Sequence, residues 1–347
     1  MSVNELRKDY ILDRWVVIAS KRKRRPTDFV KTREKKRLSV CPFCPGNEHL
    51  TPPAILVYLE RDGKIRKDRD ENGFRHKDWL IRCIPNLYPA FSPPTAQILK
   101  RTGKTNYLSI DALGHHEVLI ESPEHDEHPG VARISQLIHV IHGFIDRFRA
   151  LSSHNYVKYV SIFRNHGAEA GASLSHAHTQ IIATPITPKI IEEELTKSRE
   201  YYEKKGKCVF CEVIEREKKS ERFIWENKDF IVFSPWAGIH PFEFWIFPKR
   251  HQSTILELSE DEVKSLAVAM RVSLGGLKEL LSDPSYNLGF HMANEKHYHW
   301  HIEVYPRLAI WAGFEKSTGM FINVMPPEEA AGELKEVFKR EYEKLKV

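Results

Sequence analysis

One chemical pattern occurs twice along the 347 residues, and it narrows what they can build. Cys41-x-x-Cys44 precedes an apolar stretch ending at His125, then a helical stretch, a β-like stretch and the run Ser175-His176-Ala177-His178-Thr179-Gln180. Cys208-x-x-Cys211 precedes, in the same order, EFWIFPKRH ending at His251, a helical stretch, a β-like stretch and His299-Trp300-His301-Ile302-Glu303. Such repetition implies two similar halves, and the chain is too long for one ordinary core. The gap from Cys44 to His125 is 81 residues but that from Cys211 to His251 only 40, so the polar, Pro-rich residues 50–110 read as an insertion in the first half.

Each half carries a long amphipathic helix. Val131, Ile134, Leu137, Ile138, Ile141, Phe144, Ile145 and Phe148 recur at helical spacing, and Ser259 with Glu262 opens the second helix as a capping box before Val263, Leu266, Ala267, Met270, Leu274 and Leu277. Residues 156–163, 230–233 and 242–247 are rich in Val, Ile, Phe and Tyr and read as strands. The expected class is α+β: two antiparallel sheets, each with helices packed on one face, fused into one large sheet. The halves are taken as 1–195 and 196–347, parted within a charged helical stretch at 190–206.

Four of the five cysteines lie in the two Cys-x-x-Cys pairs, a spacing suited to a tetrahedral metal, and Cys83 reads as a small buried hydrophobe. The opening MSVNELRKDY has no apolar signal core, which makes a reducing cytoplasm the expected setting. No apolar run approaches the roughly 18 residues that would suggest a membrane span. Two soft and two borderline ligands make a closed zinc site, so Cys41, Cys44, His125 and His176 form one expected Zn2+ set, and Cys208, Cys211, His251 and His299 a second. His291, His297 and His301 crowd the second region, which leaves its histidines open.

The densest chemistry lies in 165–180, where Asn165, Gly167, Gly171, Ser173, Ser175, His176, His178 and Gln180 fall within sixteen residues. On a strand His176, His178 and Gln180 share a face. A neutral imidazole whose second nitrogen is hydrogen-bonded is a competent phosphorus nucleophile, and the Gln180 amide can donate to a phosphoryl oxygen. His178 is therefore the expected nucleophile, with His176 pinned by zinc holding it in register. In the second half His301 stands at the matching position, but Glu303 replaces the amide and would repel phosphate, so the first half alone is expected to be catalytic.

The formal charge of +6 is concentrated. Residues 21–37 hold ten Lys or Arg against Asp28 and Glu34. Arg22 and Arg25 suit a diphosphate, whereas the single aromatic in the tract, Phe29, argues against single-stranded nucleic acid as the ligand. Near the C-terminus Gly313, Phe314, Glu315 and the stretch 318–323 read as a Gly-punctuated loop and strand.

Cys41-Pro-Phe-Cys44-Pro-Gly-Asn47, Arg22 to Pro26, Asn86, Ser122-Pro-Glu-His125, the 165–180 motif and HPFEFWIFPKRH stand in family order, and by them the chain resembles the galactose-1-phosphate uridylyltransferase family of the histidine-triad superfamily. The resemblance implies a uridylylated His178 with Gln180 as its phosphate partner. It implies nucleotide and phosphate contacts from Arg22, Arg25, Asn86, Asn165, Gly171 and Ser173. It also implies UMP exchange between UDP-glucose and galactose 1-phosphate, and a homodimer in which 311–323, with Gly319, Phe321 and Asn323, serves the sugar-phosphate site. Glu194, His291 and His301 would form the family's other type of metal site, with Glu303 standing where a last histidine is expected. Two alternatives are carried forward: an ADP-sugar phosphorylase or adenylyltransferase of the same superfamily, and a zinc-stabilised nucleic-acid-binding protein using the basic tract.

Overall fold

The computed structural model describes residues 4–20, 40–71, 73–94, 101–102, 107 and 109–346; the basic tract with Arg22 and Arg25 lies outside these. The first half runs β1 (Glu5–Lys8), β2 (Trp15–Ile18), β3 (Leu56–Arg61), β4 (Lys64–Asp68), β5 (Trp79–Pro85), β6 (Arg101–Thr102), β7 (Ser109–Ile110), β8 (His115–Ile120), α1 (Ile134–Ser152), β9 (Tyr159–His166) and β10 (His178–Thr184). The charged helix α2 (Lys189–Lys205) follows. Beyond it come α3 (Val209–Glu217), β11 (Phe223–Glu226), β12 (Phe230–Phe233), β13 (Phe244–Pro248), α4 (Glu260–Leu281), β14 (Tyr286–His291), β15 (His301–Pro306), α5 (Gly313–Thr318), β16 (Phe321–Asn323) and α6 (Pro327–Lys344).

Eleven strands form one sheet in the order β11-β12-β13-β15-β14-β9-β10-β8-β5-β3-β4, with every pairing antiparallel. Outward from the seam, β9-β10-β8-β5-β3 and β14-β15-β13-β12-β11 repeat one order, with α1 and α4 in matching places. The seam itself is an ordinary ladder in which Asn165 faces Asn287 and Ile162 faces Phe290. A smaller sheet, β1-β2-β16, brings the two ends of the chain together.

Strand alternation assigns the two faces different work. Ile81, Cys83, Leu119, Ile162, Ile181 and Ala183 bury under α1, whose Leu137, Val140, Ile141, Phe144 and Phe148 lie in the same core. Each buried Val, Leu, Ile or Phe among them contributes about 1.5–3 kcal/mol. Gly143 allows the close approach, since a Cβ there would stand 2.7 Å from Ile81 Cδ1 and 2.8 Å from Leu119 Cδ1. The capping box expected of Ser259 and Glu262 opens α4. The opposite face bears His116, Asn165, Gln180, Asn287, His291, His301 and Glu303, together with two smaller apolar clusters around Phe43 and Phe210.

Two local expectations need correction. Val131 lies before α1 and is exposed, because the chain turns at 128–132 before the helix begins. Residues 313–318 form a short helix rather than a loop, closed by Gly319 in the left-handed region at φ 70°. No helix among the described residues is long and apolar enough to cross a membrane.

Candidate active site and metal centres

His178 opens β10, opposite Ile120 of β8. Gln180 faces Phe163 on one side and Val118 on the other, so His178 and Gln180 share the face opposite α1 with Asn165 and His116. The His178 ring is buried, packed edge-on against Phe43 at 5.5 Å, and its Nδ1 lies 2.8 Å from the backbone oxygen of His176. A carbonyl only accepts, so Nδ1 carries the proton and the Nε2 lone pair is left for an electrophile. Burial lowers the pKa of His178 against the opposing pull of that carbonyl, which favours the neutral ring.

Support comes from beneath the strand. Arg164 of β9 donates from Nη1 to the His178 carbonyl at 3.1 Å and pairs with buried Glu121, which also accepts from Thr179 Oγ1 at 2.6 Å. The approach to β10 is a tight turn at 168–170, flanked by Gly167 at φ 80° and Gly171 at φ 84°. At Gly167 a side chain is excluded twice over, for a Cβ would fall 2.2 Å from Ser285 Oγ. Gly171 and Ser173 are exposed on that turn, Asn165 is held by Asn287 Nδ2 at 2.8 Å, and Asn86 follows β5 beside His116.

Both expected zinc sets come together. In the first, Cys41 Sγ and Cys44 Sγ lie 3.7 and 3.5 Å from His176 Nδ1, and Cys44 Sγ lies 3.3 Å from His125 Nδ1. Tetrahedral zinc with ordinary bond lengths would hold sulfur and nitrogen about 3.6 Å apart, so the donors fit that ion. The outer nitrogens are engaged as ligating histidines require: His176 Nε2 with the Ser122 carbonyl at 2.8 Å and His125 Nε2 with Ser175 Oγ at 2.9 Å. In the second, Cys211 Sγ lies 3.3 Å from His251 Nδ1 and 3.4 Å from His299 Nδ1, with outer contacts to the Lys296 and Pro248 carbonyls.

His299 and His301 were competing candidates for one site, yet alternation along the chain gives each its own. His301 joins Glu194, His291 and Glu303 in a third cluster of possible ligands. His291 Nδ1 is 3.0 Å from Glu194 Oε1 and His301 Nε2 is 3.2 Å from Glu303 Oε1. Burial opposes the charged form of His291, but Glu194 and Glu303 outweigh it and bring its pKa up to about 9. The resemblance set Glu194, His291 and His301 together with Glu303 at the place of a last histidine, and the structure brings these four residues together.

Other expected residues divide. Gly319 and Phe321 belong to α5 and the small sheet, where Phe321 packs on Trp311 at 4.6 Å, rather than to the sheet that carries His178. Asn323 must be withdrawn as a substrate contact: it is buried, its Nδ2 donates to the Gly238 and His240 carbonyls, and its Oδ1 accepts from Met325 N–H. Residues missed in the sequence are Glu121, Arg164 and His116, whose roles arise only across strands.

Comparison with known proteins finds relatives in sequence and in fold. A family model described as a domain of unknown function (DUF4921) matches residues 123–346. ADP-glucose phosphorylase of Arabidopsis thaliana is 33% identical over 96% of this chain and 93% of its own. Galactose-1-phosphate uridylyltransferase of Thermotoga maritima is also 33% identical, over 96% and 98%. Among solved structures, an Arabidopsis thaliana ADP-glucose phosphorylase with bound ADP-glucose superposes with a TM-score of 0.78 at 29% identity, covering 96% of this chain and 99% of that one. A uridylyltransferase superposes at 0.71 with 26% identity, covering 97% and 99%.

Proposed function

The chain belongs to the galactose-1-phosphate uridylyltransferase family of the histidine-triad superfamily, and from that premise we propose that it exchanges UMP between UDP-glucose and galactose 1-phosphate through a covalent uridylyl-His178. The observation that carries the reading is the Nδ1–H of His178 on the His176 carbonyl, which leaves Nε2 as the nucleophile.

In the first step the Nε2 lone pair attacks the α-phosphorus, the bond to the β-phosphate oxygen breaks, and glucose 1-phosphate leaves. In the second, a phosphate oxygen of galactose 1-phosphate attacks the same phosphorus, and Nε2 departs with its electron pair, giving UDP-galactose. The Nδ1 proton stays on the ring throughout. Gln180 donates its amide hydrogens to a non-bridging oxygen as charge builds, and the backbone between Gly167 and Ser173, with Asn86 and Asn165, offers further donors. Arg22 and Arg25 would meet the diphosphate. Zinc held by Cys41, Cys44, His125 and His176 would supply rigidity to the strand, and the second set would do the same for the other half. We read the halves as 1–195 and 196–347, and the molecule as a homodimer whose Gly319 and Phe321 complete the sugar-phosphate site of the opposite protomer.

A second reading keeps His178 and changes the substrates: ADP-glucose as donor and inorganic phosphate as acceptor. It is favoured by the 33% identity to ADP-glucose phosphorylase over nearly the whole chain. Both readings are tested by incubating the protein with α-32P-labelled UDP-glucose or ADP-glucose, quenching in base and mapping the label. Acid-labile label on His178 is expected, and the nucleotide that gives it chooses between them. The variant His178→Ala should lose transfer by at least about 10³-fold with zinc content and melting temperature preserved. Undiminished turnover in that variant ends both readings.

A further inference from the structure

We propose that His116 is a positioning residue for nucleotidyl transfer: by donating from Nε2 to the side-chain oxygen of Gln180, it turns the Gln180 amide hydrogens toward the space beside His178. This rests on the reading of His178 as nucleophile and Gln180 as its phosphate partner. A primary amide is nearly the same shape either way round, but one orientation offers phosphate two donors and the other a repelling carbonyl oxygen. Something in the fold has to choose.

His116 lies on β8 opposite Ile182, and Gln180 lies opposite Val118, which makes His116 and Gln180 diagonal neighbours on one face. Gln180 Oε1 is 2.8 Å from His116 Nε2. The tautomer follows from the other side of the ring. The backbone N–H of Ala90 points at Nδ1 from 3.1 Å, and an amide N–H can only donate, so Nδ1 is the acceptor. The neutral ring therefore carries its proton on Nε2, and that proton is the one Gln180 Oε1 receives.

His116 also holds down the segment that carries a second amide. Asn86 is tied to β8 by its N–H on the His116 carbonyl at 2.8 Å, and its Oδ1 accepts from Tyr88 N–H at 2.9 Å. Its Nδ2 stands 3.1 Å from His116 Nε2, but Nε2 gives its proton to Gln180 and takes none from Asn86, so the Asn86 amide is oriented by Tyr88 N–H rather than by the ring. His116 thus clamps the 86–90 segment to the sheet through its carbonyl and Nδ1, and sets the polarity of the Gln180 amide through Nε2.

The experiment compares His116→Phe and His116→Gln, the latter reaching as far as Nε2 with a donor, in single-turnover labelling of His178 by UDP-glucose and ADP-glucose. His116→Phe should slow labelling by roughly 10- to 100-fold while the donor concentration at half-saturation moves less than about threefold, and His116→Gln should recover most of the rate. In a Gln180→Ala background His116→Phe should add no more than about a factor of two, because the two act as one unit. Losses that multiply would overturn the proposal. A readout independent of turnover is the ring tautomer, measured by long-range nitrogen–proton correlation on 15N-histidine protein: protonation at Nε2 is expected, and protonation at Nδ1 refutes the assignment whatever the activity. If neither nucleotide sugar labels the wild-type protein, the transfer reading fails and the positioning role falls with it, whereas a labelled wild type with a fast His116→Phe sinks the positioning role alone.

Discussion

The ring of His178 leans on the backbone oxygen of His176, 2.8 Å from Nδ1, and the ring of His176 points its own Nδ1 at the thiols of Cys41 and Cys44. A metal in that set would therefore fix the carbonyl that fixes the tautomer of His178, the proposed nucleophile. The coupling makes Cys44→Ser informative. Loss of one thiolate should remove close to one zinc per chain, lower the melting temperature, and slow His178 labelling by about 10- to 100-fold. Metal analysis alongside labelling rates checks it. Unchanged labelling in metal-depleted protein would show that the strand holds His178 unaided.

Arg164 and Glu121 form a buried ion pair directly under β10, each side chain 3% exposed. Removing one partner leaves a buried charge, which costs about 3–5 kcal/mol. Arg164→Met should destabilise by that amount in urea titration, and Arg164→Met with Glu121→Leu should restore much of it. If the double variant is as unstable as the single one, the loss comes from the Arg164 bond to the His178 carbonyl rather than from the stranded carboxylate.

How far the site could be read in advance follows from where its parts lie in the chain. His176, His178 and Gln180 are two apart, so strand periodicity alone places them on one face, and both Cys-x-x-Cys sets declared themselves by spacing and by repetition. His116 is 64 positions from Gln180, and Glu194 is 97 from His291. Register brings the first pair together and the packing of α2 across the sheet brings the second, and neither leaves a local trace. Asn323, which the resemblance assigned to the sugar-phosphate site, meets the same limit: β2 and the Gly238–His240 backbone bury it, and its neighbours along the chain do not reveal that.

Glu262 supplies a test of stability against pH. Its carboxyl is brought down to about 2 from an ordinary 4.5, chiefly by hydrogen bonds from Arg250, with the Ser259 N–H helping. A depressed pKa means the unfolded chain takes up the proton first, so the stabilisation is complete above about pH 4.5 and fades as pH falls toward 2. Glu262→Gln can keep an acceptor for the Ser259 N–H, but it loses the charge together with one of the two oxygens that accept from Arg250. It should cost about 1 kcal/mol at pH 7, since Arg250 is largely solvated, and almost nothing near pH 2.5. Equal deficits at both values would mean that shape, not charge, is what the helix start requires.

Across the seam between the halves, Asn287 Nδ2 donates to Asn165 Oδ1 at 2.8 Å and to the Ala170 carbonyl at 2.9 Å. With its oxygen so occupied, Asn165 has its own NH2 left to donate, and on the proposed function that donor serves the nucleotide. Asn287→Ala frees the Asn165 amide and loosens the turn at 168–170, so half-saturation by the nucleotide sugar should rise by about tenfold, with labelling at saturation changed less. Asn287→Asp should be worse. A carboxylate accepts only, and it would pull the Asn165 NH2 toward itself, leaving oxygen to face the phosphate. Steady-state kinetics on both variants decides the matter: an aspartate milder than alanine would mean that Asn165 does not meet the ligand as a donor.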